Sequence, residues 1–132
     1  MVRVTGLDHI VLKVADVERS LAWYRDRLGL AGERVEEWRR GEVPFPSVRI
    51  DAGCLIDLLV GAPTGTNLDH FCLVLDDADL DALVASGEFD VVGDGPIDGL
   101  FGARGYARSL YVRDPDGTVV ELRSYPASQS GS

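Results

Sequence analysis

Apolar and polar residues alternate along the chain with two periods, and the same order of periods occurs twice. Each half opens with an apolar run that contains β-branched residues, at 10–14 and at 71–75, which predicts a strand. Apolar residues at helical spacing follow each run, and each helical stretch ends at a glycine, Gly29 or Gly87. The pattern therefore predicts a strand and then a helix at the start of each half.

Aspartates precede both predicted helices. Asp16 is the predicted N-cap of the first helix, and Asp76 or Asp77 is that of the second. After each helix the period changes to that of strands, with turn residues between them. Three further strands are predicted in each half, at 34–38, 47–51 and 54–60 and at 89–92, 107–112 and 118–124.

Three segments outside these elements have the composition of loops or tails. Residues 40–46 hold two prolines, and residues 93–105 hold five glycines, a composition that favours a mobile lid. Residues 126–132 are mostly small and polar, and we expect this tail to be disordered.

An internal repeat accounts for the similarity of the two halves. Leu7-Asp8-His9 returns as Leu68-Asp69-His70, at an offset of 61 residues. The repeat predicts two βαβββ modules, at about 5–61 and about 66–125, within a single α+β domain at 1–125.

Composition and charge exclude several classes of function. The 132 residues include 13 Lys and Arg against 22 Asp and Glu, which gives a net charge of −9. No Lys or Arg lies between Asp51 and Ala103. A protein that binds nucleic acid through its phosphates needs a basic face, so we expect no nucleic-acid partner. No apolar run approaches the length of a membrane span, and the first residues lack the pattern of a secretion signal. We therefore expect a cytoplasmic protein that does not associate with membranes.

The repeat also pairs residues that could carry chemistry. The two histidines, His9 and His70, occupy equivalent places, and an acid interrupts the last apolar strand of each half, Asp57 in one and Glu121 in the other. An unpaired carboxylate is costly inside a strand of this kind. Two imidazoles and two carboxylates suit a divalent Mn, Fe, Co, Ni or Zn ion, so these four residues are predicted metal ligands. The structural alternative is that the imidazoles bond to backbone and Asp57 faces solvent.

Several stretches resemble the vicinal oxygen chelate superfamily, which includes glyoxalase I, extradiol dioxygenases, methylmalonyl-CoA epimerase, fosfomycin-modifying enzymes and bleomycin-binding proteins. The resemblance is carried by Leu7-Asp8-His9-Ile10, by Leu68-Asp69-His70, and by residues 111–117 running into Val120-Glu121-Leu122. It implies paired modules that form an open, cup-shaped mixed β-sheet around a divalent metal ion.

The metal positions of that superfamily match His9, Asp57, His70 and Glu121. The superfamily usually has Glu where this chain has Asp57, which is shorter by one methylene. The resemblance therefore implies either the four-residue set or the triad of His9, His70 and Glu121, a set typical of non-haem iron oxygenases.

The first functional hypothesis is a lyase or isomerase of the glyoxalase type acting on a small oxygen-chelating substrate. The metal ion would polarise a carbonyl and stabilise an enediolate, while Glu121 or Asp57 moves the proton. Arg104 and Arg108 are candidates for holding an anionic substrate, and Tyr111 and Phe101 for further substrate contacts. A homodimer is expected.

Two alternatives remain from the sequence. An extradiol dioxygenase would hold iron at the histidines and Glu121, but Tyr106 or Tyr111 would then have to transfer the proton because both histidines are used as ligands. A metal-free protein that sequesters a cationic drug such as bleomycin fits the length and the acidic charge. Such binders generally lack the metal ligands that this chain carries.

Overall fold

The computed structural model describes residues 2–115 and 117–126. Contacts divide the chain into two compact units. The middle unit is His9–Asp69, and the terminal unit comprises Met1–Asp8 together with the chain from His70 onward. Each unit combines β-strands with α-helical structure. This arrangement confirms the predicted α+β fold class.

The middle unit has the order strand, helix, strand, short helix, strand, strand. Its elements are the part of β1 (Val4–Val14) from His9 onward, α1 (Val17–Leu28), β2 (Gly32–Glu33), α2 (Val35–Arg39), β3 (Ser47–Asp51) and β4 (Cys54–Val60). The strands lie in the order β2-β3-β4-β1, with β1 parallel to β4 and the other pairs antiparallel.

Helix α1 has the predicted ends. The Asp16 side chain accepts a hydrogen bond from the Arg19 backbone N–H at 3.0 Å, and Gly29 ends the helix with φ of 71°. Val17 and Leu21 are buried and pack with Leu58 and its neighbours on the sheet. Because this apolar contact covers one face of the sheet, the polar side chains of β3 and β4 lie on the other face.

The strand predicted at 34–38 is wrong. Strand β2 stops at Glu33, and residues Val35–Arg39 form α2. Val35 and Trp38 are three residues apart and both pack against the cluster under α1, which a helical turn allows. Arg39 adds an ion pair to Glu18 of α1 at 2.7 Å.

The terminal unit has one strand more than the predicted module. Its elements after the start of β1 are β5 (Leu68–Leu75, from His70 onward), α3 (Leu80–Ser86), β6 (Asp90–Val91), β7 (Ile97–Gly102), β8 (Gly105–Arg113) and β9 (Val119–Ser124). The order is β5-β9-β8-β6, with β7 also paired to β8. Leu80 of α3 packs with Leu110 and Leu122, so one face of this sheet is apolar.

The predicted N-cap of the second helix is wrong by two or three residues. Asp79, not Asp76 or Asp77, accepts the hydrogen bond of the Ala82 backbone N–H, at 3.1 Å. Asp77 has a positive φ of 44°, so the chain turns there before the helix begins. The predicted end at Gly87 is confirmed by its φ of 70°.

The loop predicted at 93–105, with a composition that favours a mobile lid, is wrong in part, since Ile97–Gly102 form strand β7. Leu100 pairs with Ala107 and Phe101 with Tyr106 of β8. Gly99 has a φ of 71° where the register shifts between Ile97 and Leu100, so this glycine serves a bulge in a strand.

The remaining predicted strands agree with β1, β3, β4, β5, β6, β8 and β9 to within a few residues. Most of the tail predicted to be disordered, residues 127–132, lies outside the described residues. Among the residues that the structure describes, no helix has the length and apolar character needed to cross a membrane.

Candidate functional site

The middle unit brings His9 and Asp57 together. Strand β1 runs parallel to β4, and Val11 pairs with Asp57, which places His9 two residues before that position. The His9 Nε2 to Asp57 Oδ2 distance is 3.7 Å, and both side chains are almost completely buried. Ser47, paired with Asp57 across β3 and β4, donates its hydroxyl to Asp57 Oδ1 at 2.5 Å. Asp57 thus has one oxygen held by Ser47 and the other directed to His9.

The terminal unit contains a second pair of the same kind, His70 and Glu121. His70 Nε2 lies 3.1 Å from Glu121 Oε1. The Ser109 hydroxyl donates to Glu121 Oε2 at 2.7 Å. The relative exposure is 1% for Glu121 and 0% for Ser109. Each unit therefore has a histidine, a buried carboxylate and a buried serine that holds one carboxylate oxygen.

Strand alternation explains why these polar side chains share a face. On β9, Val120 and Leu122 belong to the apolar cluster under α3. Glu121 and Arg123 alternate with them and so point to the other face. An acid at the centre of an apolar strand is therefore held away from the helix side of the sheet.

Arg123 is a site residue that the sequence reasoning missed. It is fully buried and donates from Nη1 to Glu121 Oε2 and to Ser109 Oγ, both at 3.1 Å. The signal in the sequence was its position two residues after Glu121, which places both side chains on one face of β9. Ser47 and Ser109 were missed as well, because a serine in a strand carries no distinctive pattern.

Tyr111, a predicted substrate residue, lies beside the second pair. Its ring meets the His70 ring edge to face, with centroids 5.2 Å apart. Burial raises the pKa of the Tyr111 hydroxyl above its ordinary value, and the negative charge of Glu121 raises this pKa further. The hydroxyl therefore stays protonated at neutral pH and can donate a hydrogen bond.

The other three predicted substrate residues contact other groups of the terminal unit. Arg108 alternates with Ser109 on β8 and forms ion pairs with Asp81 at 2.7 Å and Asp98 at 2.9 Å. Arg104 lies in the turn between β7 and β8, with its guanidinium 5.8 Å from the centre of the Tyr125 ring. Phe101 packs edge to face on Tyr106.

Asp8 was also missed as a structural residue of the terminal unit. It is fully buried, accepts a hydrogen bond from the Ala103 backbone N–H at 2.9 Å, and accepts another from the Tyr125 hydroxyl. Its counterpart in the repeat, Asp69, is about one third exposed and pairs with Lys13 at 3.5 Å. The repeated tripeptide therefore preserves the histidine position and changes the environment of the aspartate.

The chemistry of the donors fits a divalent transition metal ion. Imidazole nitrogen and carboxylate oxygen are the ligands that Zn, Mn, Fe, Co and Ni ions take in proteins. Burial raises the pKa of the Cys72 thiol on β5, so this thiol stays protonated at neutral pH in the metal-free protein. The two histidine–carboxylate pairs supply nitrogen and oxygen donors of the kind that these ions take.

Each of the two units has a βαβββ core and a histidine beside a buried carboxylate. This arrangement places the chain in the class of α+β proteins built from paired modules. Within this class, the profile of the Glyoxalase/Bleomycin resistance protein/Dioxygenase superfamily matches residues 6–122, and the chain belongs to that superfamily.

Two relatives in sequence extend over most of the chain. The chain is 27% identical to a probable lactoylglutathione lyase of Vibrio parahaemolyticus over 133 residues, covering 93% of this chain and 93% of the relative. It is 26% identical to a virulence protein of Salmonella typhimurium over 124 residues, covering 90% and 83% of the two chains.

Solved structures share the fold at lower identity. Methylmalonyl-CoA epimerase from Mycobacterium tuberculosis has a TM-score of 0.62 and 19% identity, covering 98% of this chain and 93% of the other. A hypothetical protein from Bacillus halodurans has a TM-score of 0.62 and 18% identity, covering 96% and 98%. These similarities show the fold.

Proposed function

We propose that the protein is a divalent-metal-dependent enzyme, a lyase or isomerase that moves a proton on a small oxygen-chelating substrate. His9, Asp57, His70 and Glu121 are the proposed metal ligands, and the triad without Asp57 is the alternative set. The observation that carries the proposal is that each unit holds a histidine against a buried carboxylate, at 3.7 Å in one and 3.1 Å in the other.

Both carboxylates are buried, and each directs one oxygen to a histidine. The relative exposure of Asp57 and of Glu121 is 1%. A buried carboxylate costs several kcal/mol unless a cation or several hydrogen bonds compensate it, on the order of the penalties known for buried ions. Ser47 donates to one oxygen of Asp57, and Ser109 and Arg123 donate to one oxygen of Glu121. The other oxygen of each acid is directed to an imidazole. A histidine nitrogen and a carboxylate oxygen in this arrangement are suited to share a metal ion.

The residues would divide the work as follows. A bound divalent ion supplies a Lewis acid that polarises a carbonyl oxygen. Of Glu121 and Asp57, the one that releases the ion would accept a proton from the carbon next to that carbonyl and return it to a neighbouring position. Tyr111, whose hydroxyl is neutral, donates a hydrogen bond to the substrate oxygen.

The relatives suggest the class of compound with which to test this reaction. Their names refer to lactoylglutathione and to methylmalonyl-CoA, two thioesters with a hydrogen on the carbon next to the thioester carbonyl. We propose that this chain acts on a compound that has a hydrogen beside a carbonyl group, with the exchangeable proton as the common feature.

Solvent exchange in D₂O tests the reaction. Metal-loaded protein is incubated with methylmalonyl-CoA, and separately with methylglyoxal and glutathione, and mass spectrometry follows deuterium in the thioester and formation of lactoylglutathione. We expect wild type to accelerate at least one of these processes and Glu121→Gln to lose most of that acceleration, because removal of one general base typically costs about 10²- to 10⁴-fold.

The matched control is Glu88→Gln, which changes an exposed acid of the terminal unit. This variant is expected to match wild type. Equal rates for wild type and Glu121→Gln, at or near the rate without protein, would contradict the proposed reaction.

We also propose that the chain assembles as a homodimer. Trp23 and Leu28 of α1 are about half exposed and offer apolar surface to a second copy of the chain. Light scattering coupled to size exclusion measures the mass directly, and a mass of a single chain at micromolar concentration would contradict the proposal.

A further inference from the structure

The terminal unit contains the buried guanidinium of Arg123, which donates hydrogen bonds to Glu121, to Ser109 and to backbone carbonyls of β7 and β8. Arg123 Nη1 donates to Glu121 and Ser109, and Nη2 donates to the backbone carbonyls of Leu100 and Gly105, the latter at 2.9 Å. The relative exposure of Arg123 is 0%. One side chain therefore links the carboxylate of β9 to the backbone of β7 and to the start of β8.

The surrounding residues fix this guanidinium in place. It lies over the Tyr125 ring, with Cζ 4.9 Å from the ring centre. A Cβ atom at Gly102 would lie 2.5 Å from Arg123 Nε and 2.6 Å from Cζ, so only glycine leaves room there. The guanidinium thus sits between Tyr125 and the backbone of β7 with little freedom to move.

This contact determines which oxygen of Glu121 is available. Oε2 receives two donors, Ser109 Oγ at 2.7 Å and Arg123 Nη1 at 3.1 Å. Oε1 faces His70 Nε2 at 3.1 Å. Two donors on one oxygen hold the plane of the carboxylate, so Glu121 presents Oε1 and not Oε2 toward the histidine.

We propose that Arg123 is a positioning residue that, with Ser109, holds Glu121 so that it offers a single oxygen, Oε1, beside His70. The inference rests on the proposed function, in which Glu121 and His70 are metal ligands. Lysine at position 123 keeps the charge but has no planar fork to reach Oε2, Ser109 and the two carbonyls together. Arg123→Lys is therefore the variant that separates the fork geometry from the charge.

The first readout needs no metal. The chain has only two histidines, so the imidazole signals of His70 are assigned in a ¹⁵N-labelled metal-free protein by comparison with His9→Gln. In Arg123→Lys we expect a shift of the His70 Nε2 signal, because Glu121 Oε1 no longer stays at its place beside that nitrogen. Arg113→Lys changes an exposed arginine of β8 that pairs with Asp90, and is the matched control with no expected shift.

The second readout is the binding of Co²⁺, measured by competition with a chelator and by the visible absorption spectrum. Substitution of a partner that orients a metal ligand typically weakens metal binding about 10- to 100-fold. We expect this loss for Arg123→Lys, together with a changed cobalt spectrum because Glu121 can then rotate. Ser109→Ala, which removes the other donor from the same oxygen, is the second variant in case Arg123→Lys fails to fold, and it is expected to change both readouts in the same direction.

The two readouts separate this inference from the proposed function. Unchanged His70 signals and an unchanged cobalt spectrum in folded Arg123→Lys and Ser109→Ala would overturn the positioning role. Wild type that binds no Co²⁺, with a His70 shift still present in Arg123→Lys, would overturn the metal proposal and support the link from Arg123 through Glu121 to His70.

Discussion

Asp8 and Asp69 occupy the same place in the repeated tripeptide, yet they differ in what their removal should cost. Asp8→Ala leaves the Ala103 N–H and the Tyr125 hydroxyl buried without their acceptor. We expect a loss of about 2–4 kcal/mol in the free energy of unfolding, since each unsatisfied buried group costs about 1–3 kcal/mol. Asp69→Ala removes a partly exposed ion pair with Lys13 and should cost less than about 1 kcal/mol. Urea denaturation measures both values, and equal losses would contradict the structure.

Gly102 offers a second residue-level prediction. Alanine there brings a Cβ atom to 2.5 Å from Arg123 Nε and 2.6 Å from the Tyr125 hydroxyl oxygen. The guanidinium or the strand has to move, so we expect Gly102→Ala to lose about 1–3 kcal/mol of unfolding free energy, the usual cost of overpacking. Gly6→Ala is the control, because a Cβ atom at Gly6 has no neighbour within 4 Å. Equal free energies of unfolding for Gly102→Ala and Gly6→Ala in urea would contradict the close contact at Gly102.

At this scale the repeat predicted part of the candidate site. His9, His70, Asp57 and Glu121 were found because the same residue types occur at equivalent places in two halves. Arg123 has no counterpart of its kind in the first half, where the residue two positions after Asp57 is Leu59. Its role depends on the paired register of β8 and β9 and on the space left by Gly102, which only the three-dimensional structure supplies.

The N-cap of α3 gives a prediction at the level of the element. Asp79→Ala removes the acceptor of the Ala82 N–H and should destabilise the protein by about 1 kcal/mol. Asp77→Asn keeps a residue that tolerates a positive φ and removes no cap, so it should stay within about 0.5 kcal/mol of wild type. Thermal unfolding followed by circular dichroism distinguishes the two. Equal stability of Asp79→Ala and wild type would contradict the cap at Asp79.

The elements that were predicted wrongly share a physical cause. Residues 34–38 are too few for the sequence to distinguish a period of 2 from one of 3.6, and packing of Val35 and Trp38 decided for a helix. In residues 93–105 the glycines suggested mobility. Gly99 instead has the backbone conformation that the bulge in β7 needs, and Gly102 makes room for a buried side chain. Long, strongly patterned segments such as α1, β4 and β5 were predictable because several local signals agree there.

At the scale of the whole molecule, the structure explains the acidic stretch between Asp51 and Ala103, which contains no Lys or Arg. Many of its acids are exposed, and several pair with arginines from outside the stretch, Arg3 with Asp76, Arg108 with Asp81 and Asp98, and Arg113 with Asp90. Asp57 is the exception, since it is buried beside His9. The net charge of −9 is therefore mostly a property of the surface, and Asp57 is the acid of this stretch that the proposed chemistry uses.

Membership of the superfamily leaves the reaction open, because one scaffold of this kind hosts several chemistries. The proposed function requires that the two histidines and the two buried carboxylates bind a divalent metal ion. Its most direct test is the metal content, by plasma mass spectrometry, of wild type, Glu121→Ala and Glu88→Ala, each purified without an affinity tag or chelator. We expect stoichiometric metal in wild type and in Glu88→Ala, and its loss in Glu121→Ala. Absence of metal from all three, with tight binding of a cationic drug such as bleomycin by wild type, would contradict it.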